Sequence, residues 1–124
     1  MNACYELVLQ RPLAGFPASL FLSALYREQR RIDPLLLRRG TLPIRSFVSP
    51  QAGDELQGEW LDCWFEAPSG ERLVRSIVGL IHDGALEFPS RQELLGELFA
   101  LGERLDAARI SGTRWQLGLE LEFA

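Results

Sequence analysis

Apolar and polar residues separate most cleanly at the end of the chain. Thr113, Trp115, Leu117, Leu119, Leu121 and Phe123 alternate with Arg114, Gln116, Gly118, Glu120 and Glu122. Successive side chains on a strand point to opposite faces, so this run predicts a strand with one buried side and one wet side. A shorter alternation, Tyr5, Leu7 and Leu9, predicts a first strand over residues 5–10. The first and last strands can be neighbours, which would bring the termini together.

Between them, two stretches carry a helical period. Pro17 suits a first turn, where its missing N–H costs nothing. The apolar arc of Leu20, Phe21, Leu22, Ala24, Leu25 and Tyr26 predicts a helix to about Arg31. Asp33-Pro34 then reads as an N-cap and first residue of a separate helical turn to Arg39, closed at Gly40. The second long helix begins at the capping box Ser90-Arg91-Gln92-Glu93 and runs to about Arg109. Its stripe is Leu94, Leu98, Leu101, Leu105 and Ala108, widened by Leu95 and Phe99.

The middle of the chain reads as sheet. A strand is expected over Leu42–Ser49, followed by an acidic loop from Pro50 to Gln57 that contains Asp54 and Glu55. Gly58 to Phe88 then reads as three antiparallel strands. Pro68-Ser69-Gly70 matches a three-residue hairpin loop, and Asp83-Gly84 is the strongest two-residue hairpin signal. One hairpin face would carry Leu61, Cys63, Phe65, Leu73, Ile77 and Ile81, interrupted by Arg75. The other would carry Trp60, Asp62, Trp64 and Glu66, with Val74, Ser76, Val78, Leu80 and His82 across from them. This second face is too apolar for open water and too acidic for a core.

The expected order is β-α-(short helix)-β-β-β-β-α-β. The expected fold is therefore a single α+β domain over residues 1–124: a mostly antiparallel sheet of five to six strands with two main helices on one face.

Composition narrows the class. The 124 residues are 47% hydrophobic and 24% charged, ordinary for a soluble protein. No apolar run approaches the roughly 18–20 residues of a membrane helix. The N-terminus has no basic stretch followed by an apolar one, so the expected location is the cytoplasm, with no membrane partner. Cys4 and Cys63 form no CxxC and read as two buried thiols. All 13 basic residues are arginine, as in a GC-rich bacterial genome.

Charge is uneven. Residues 27–45 hold six arginines against Glu28 and Asp33, a local +4, so the remainder carries −8 of the total −4. An acidic bulk argues against direct nucleic-acid binding. Arg30, Arg31, Arg38 and Arg39 form a possible secondary basic surface.

Chemistry is sparse. His82 is the one histidine, and in the hairpin register Cys63 faces away from it, so no nucleophile–base pair forms. No metal-ligand spacing, phosphate loop or dinucleotide fingerprint is present, and neither cofactor nor metal is expected. Asp62 and Glu66 could form an acid–base pair, but residues four apart on a strand lie about 13 Å apart. That exceeds the roughly 6.5–9.5 Å of an inverting pair. Trp60, Asp62, Trp64 and Glu66, with Asp54 and Glu55 nearby, suit recognition better: tryptophan dominates interface energy, and acidic neighbours set partner choice.

The expected function is non-enzymatic protein binding. Its concrete form is an immunity-type inhibitor that neutralises a bacterial toxin or enzyme by direct binding, with a basic enzyme such as a nuclease as the partner an acidic face suits. A homodimeric structural or secretion-chaperone-like module is the alternative, and a small enzyme or ligand-binding domain the second alternative.

Overall fold

Residues 2–17, 19–48, 64–84 and 90–122 are described by the computed structural model. Among them the chain forms strand β1 (Asn2–Leu9), strand β2 (Phe21–Leu22), helix α1 (Ser23–Arg38), a 3₁₀ turn (Ile44–Phe47), helix α2 (Ala67–His82), helix α3 (Arg91–Ser111) and strand β3 (Trp115–Glu122).

The sheet has three strands in the order β2-β1-β3, all antiparallel. The first and last strands are indeed neighbours, with Asn2 opposite Glu122 and Leu9 opposite Trp115. Leu22, Tyr5, Leu7, Leu117 and Trp115 share the face that the helices cover, and all are buried. On the opposite face of β3, where alternation predicts a wet side, Gln116 is nevertheless only 8% exposed. The outer edge of β3 receives single bridges from Val48 and Phe65, and Phe65 exchanges both backbone hydrogen bonds with Trp115 at 2.9 and 3.0 Å.

The five-to-six-stranded sheet with two helices is overturned by this architecture: among the described residues there are three strands and three helices. The largest difference lies at residues 67–82, expected as a hairpin and found as α2. Ala67, Gly70, Leu73, Ile77, Leu80 and Ile81 are buried at helical spacing, and Pro68 occupies the first turn, where its missing N–H costs nothing. Pro68-Ser69-Gly70 is thus a helix start, not a loop. Of the other strand residues of the expected hairpins, 64–66 are extended, with Phe65 bridged to Trp115, and 58–63 and 85–88 lie outside the described residues, as does the loop at 50–57.

Helix α1 differs at both ends from its expected bounds. It starts at Ser23 because its first N–H groups find an acceptor there: Glu97 of α3 accepts from Ala24 and Leu25, each at 2.9 Å. It then continues through Pro34 to Arg38. Pro34, which has no N–H to give the Arg30 carbonyl, lies on the exposed side of the helix, while Ile32 and Leu36 on the inner side are fully buried. Asp33 is not an N-cap of this helix. Its carboxylate is buried and reaches forward to the 3₁₀ turn, accepting from Ile44 N–H at 2.7 Å and Arg45 N–H at 3.4 Å. Where a strand is expected over Leu42–Ser49, residues Ile44–Phe47 form a 3₁₀ turn held by that contact, and its i, i+3 residues Ile44 and Phe47 are buried together in the core.

Helix α3 keeps the expected stripe, with Leu94, Leu98, Leu101, Leu105 and Ala108 buried, and ends at Gly112 with φ +71°. The capping box does not form: Ser90 makes no side-chain cap bond, and Glu93 pairs with Arg27 at 2.6 Å instead. Beneath α2 the core holds an aromatic cluster in which Phe47 stacks on Trp115 at 5.0 Å and meets Phe65 edge-on at 4.9 Å.

Candidate functional site

Of the expected recognition face, Trp60, Asp62, Asp54 and Glu55 lie outside the described residues. Trp64 is half-buried and Glu66 exposed, both in the extended stretch that leads into α2. Glu66 pairs with Arg114 at 2.9 Å, and its carbonyl accepts the indole N–H of Trp115 at 3.1 Å. The residues assigned opposite them do not share a face. On α2, Leu80 points into the core, His82 is exposed at the helix end, and Val74 and Val78 turn toward α3.

The arginine-rich segment is largely engaged. Arg27 joins Glu93, Arg31 joins Glu28 at 3.7 Å, Arg39 joins Asp83 at 3.1 Å and Arg45 joins Asp33 at 3.5 Å. Arg30 and Arg38 carry no ion pair among the described residues. Three of these pairs tie α1 to α3, to the end of α2 and to the 3₁₀ turn, so the segment is a clasp between elements more than a bare basic patch.

Two ionisable groups are shifted by the fold. Burial pushes the Glu97 carboxyl above its ordinary value, against the pull of the two N–H donors at the start of α1. Burial, with the nearby Asp33 charge, also raises the Tyr5 hydroxyl, which donates to the Gln29 side chain. Both lie at packed junctions between elements. Among the described residues no three His, Cys, Asp or Glu side chains come together to hold a metal.

The feature that sequence reasoning missed lies between α2 and α3. The two helices run antiparallel, since Glu71 meets Arg109 while Val74 meets Gly102. Their outer surfaces leave a groove of about 580 Å³. Val74 and Val78 form one wall, and Leu95, Leu98, Phe99 and Gly102 the other. Phe99 is 71% exposed and Val78 38% exposed. The polar groups that line the groove are two carboxylates, Glu103 and Asp106.

Why the groove is apolar follows from α3. The helix carries two parallel lines of large apolar residues. Leu94, Leu98, Leu101 and Leu105 fill the core, while Leu95 and Phe99 stand one residue over. The second line looks like a widening of the first in the sequence. In the fold it passes beyond the edge of α2, and Phe99 is left in solvent. The signal available in the sequence was the surplus: α3 has more apolar lines than one covering layer can use.

A second cavity, about 350 Å³, lies where β1 outruns the short β2. It is lined by Glu6 to Leu9, by Pro12, Leu13, Phe16 and Pro17, and by Arg104, whose guanidinium sits 5.1 Å over the Phe16 ring. This cation–π contact ties α3 to the β1–β2 connection.

Among the described residues no helix is long and apolar enough to cross a membrane. In comparison with known proteins, the chain matches no family model, no curated protein and no solved structure.

Proposed function

We propose that this chain acts by binding another protein, without chemistry of its own, and that the α2–α3 groove is the docking surface. The observation that carries the reading is Phe99: a large aromatic side chain, 71% exposed, beside an apolar groove with acidic groups at one end. Exposed apolar surface of this kind, rimmed by polar groups, marks an interaction site. Aromatic anchors dominate the energy of such interfaces.

The concrete form we propose is an immunity-type inhibitor, working in a bacterial cytoplasm and holding a basic toxin or enzyme inactive. Its support is charge: the chain is −4 overall, and the groove offers carboxylates to the partner. Acidic groups around an apolar centre raise association rate and select a basic partner.

A second reading has its own observation. Gly96, Phe99 and Gly102 follow one another at three-residue spacing on α3, with open space over Gly96. A protruding ring one turn from the open space over Gly96 lets the same patch of a second copy pack against it, as a two-fold dimer requires.

The test is a comparative pull-down from the source organism, using the wild-type chain and Val78→Asp/Phe99→Glu. A stoichiometric basic protein that is held by the wild type and lost from the variant supports the inhibitor. A self-dimer lost in the variant, with nothing else attached, replaces it with the dimeric module. Equal capture by both proteins removes the groove from the reading.

A further inference from the structure

We infer that the α2–α3 groove takes an amphipathic helix of the partner protein, with arginine or lysine beside its apolar stripe at the end that meets Glu103 and Asp106. This rests on the protein-binding reading above and names the kind of partner segment that fits.

The first argument concerns backbone. Both walls of the groove are helices, whose interior N–H and C=O groups are used within the helix itself. An added strand needs a row of unpaired backbone groups, which this surface does not offer. Side chains are what the groove presents, and a helix reads side chains through its own apolar stripe.

Length gives the second. The α3 wall runs from Leu95 to Asp106, about 16 Å at ~1.5 Å per residue. That spans three turns, enough for anchors at i, i+3 or i+4, and i+7. Phe99 stands midway, where an anchor residue is best shielded from water.

Charge supplies the third. The apolar part of the groove, around Val78, Leu95 and Phe99, contributes no ionised group of its own. Its acidic end does. Glu103 has no ion pair among the described residues, and Asp106 shares the single guanidinium of Arg109 with Glu71. The lining at that end holds two carboxylates and no basic side chain, which leaves it negative. Arg75 follows Val74 on α2 but does not line the groove. A basic side chain on the incoming helix would meet the unpaired charge, and an acidic one would be repelled.

The experiment uses designed helical peptides of about 15 residues with one leucine stripe. Three versions carry arginine, glutamine or glutamate at the flank that would meet Glu103 and Asp106. Fluorescence anisotropy with the full chain measures their affinity between about 0.05 and 0.5 M salt. We expect the arginine peptide to bind at least about 10-fold more tightly than the glutamate peptide at low salt, with the gap closing as salt rises. The gap should also close in Glu103→Gln/Asp106→Asn, and Phe99→Glu should weaken all three peptides. Equal affinity for the arginine and glutamate versions overturns the charge selection. Failure of every peptide, with a partner still lost from Val78→Asp/Phe99→Glu, overturns the helical occupant and leaves the protein-binding reading standing. A two-fold dimer in sedimentation that Phe99→Glu dissolves overturns both.

Discussion

Gly70 lies directly against the indole of Trp115. A methyl group on its Cα would stand 2.6 Å from Cζ2 and 2.7 Å from Cε2 of that ring. The ring cannot retreat, because Phe47 stacks on its face and its N–H is bound to the Glu66 carbonyl. Gly70→Ala should therefore destabilise the fold by about 1–3 kcal/mol from overpacking, even against the roughly 1 kcal/mol that alanine gains in a helix. Gly96→Ala, with open space over the same methyl, should stabilise by about 0.5–1 kcal/mol. Urea denaturation of the pair checks both signs.

The Asp33 carboxylate, 4% exposed as a residue, accepts the Ile44 N–H at 2.7 Å. Asp33→Ala would leave that donor without its acceptor, at a cost of about 1–3 kcal/mol. Asp33→Asn retains an oxygen for Ile44 and should lose less. A loss in Asn as large as in Ala would mean that the charge, not the acceptor, holds the 3₁₀ turn.

Glu97 links stability to pH. Its folded carboxyl titrates above its ordinary value because burial outweighs the Ala24 and Leu25 donors. The native state therefore holds the proton more tightly than the unfolded chain. The stabilisation from this group is complete below the unfolded value and is lost as pH rises through the folded one. Thermal melts across that window should show a decline with rising pH that Glu97→Gln flattens. An unchanged profile in the variant would assign the slope to other groups.

Phe99→Glu should separate binding from folding. The side chain is 71% exposed, so stability should move by no more than about 0.5 kcal/mol. Partner binding should be lost. Circular dichroism and a melt establish the first point, and the pull-down the second.

Removal of residues 115–124 should leave the chain unfolded. Trp115 and Leu117 are fully buried, and β3 is the partner of β1 along its whole length. A native-like melt in the truncated chain would show that the helices alone suffice.

The sequence by itself determined the elements whose period is long and unambiguous. Strand β3 and the Leu94–Ala108 stripe of α3 are found where alternation and the 3.6 period place them, because many residues repeat the same signal. Helix α2 was lost for a physical reason: Leu73, Ile77 and Ile81 are spaced by four, which keeps them on one face of a strand and on one side of a helix alike. Tertiary structure decided between the two, by laying that side against the core and Gly70 against Trp115. It also set the start of α1 through the Glu97 carboxylate of α3, seventy-odd residues further along the chain, a contact no local pattern carries. The candidate site divides in the same way. That α3 bears a second apolar line at Leu95 and Phe99 can be read from residue types. That Leu95 on this line is partly covered while Phe99 is left in water is decided by packing alone.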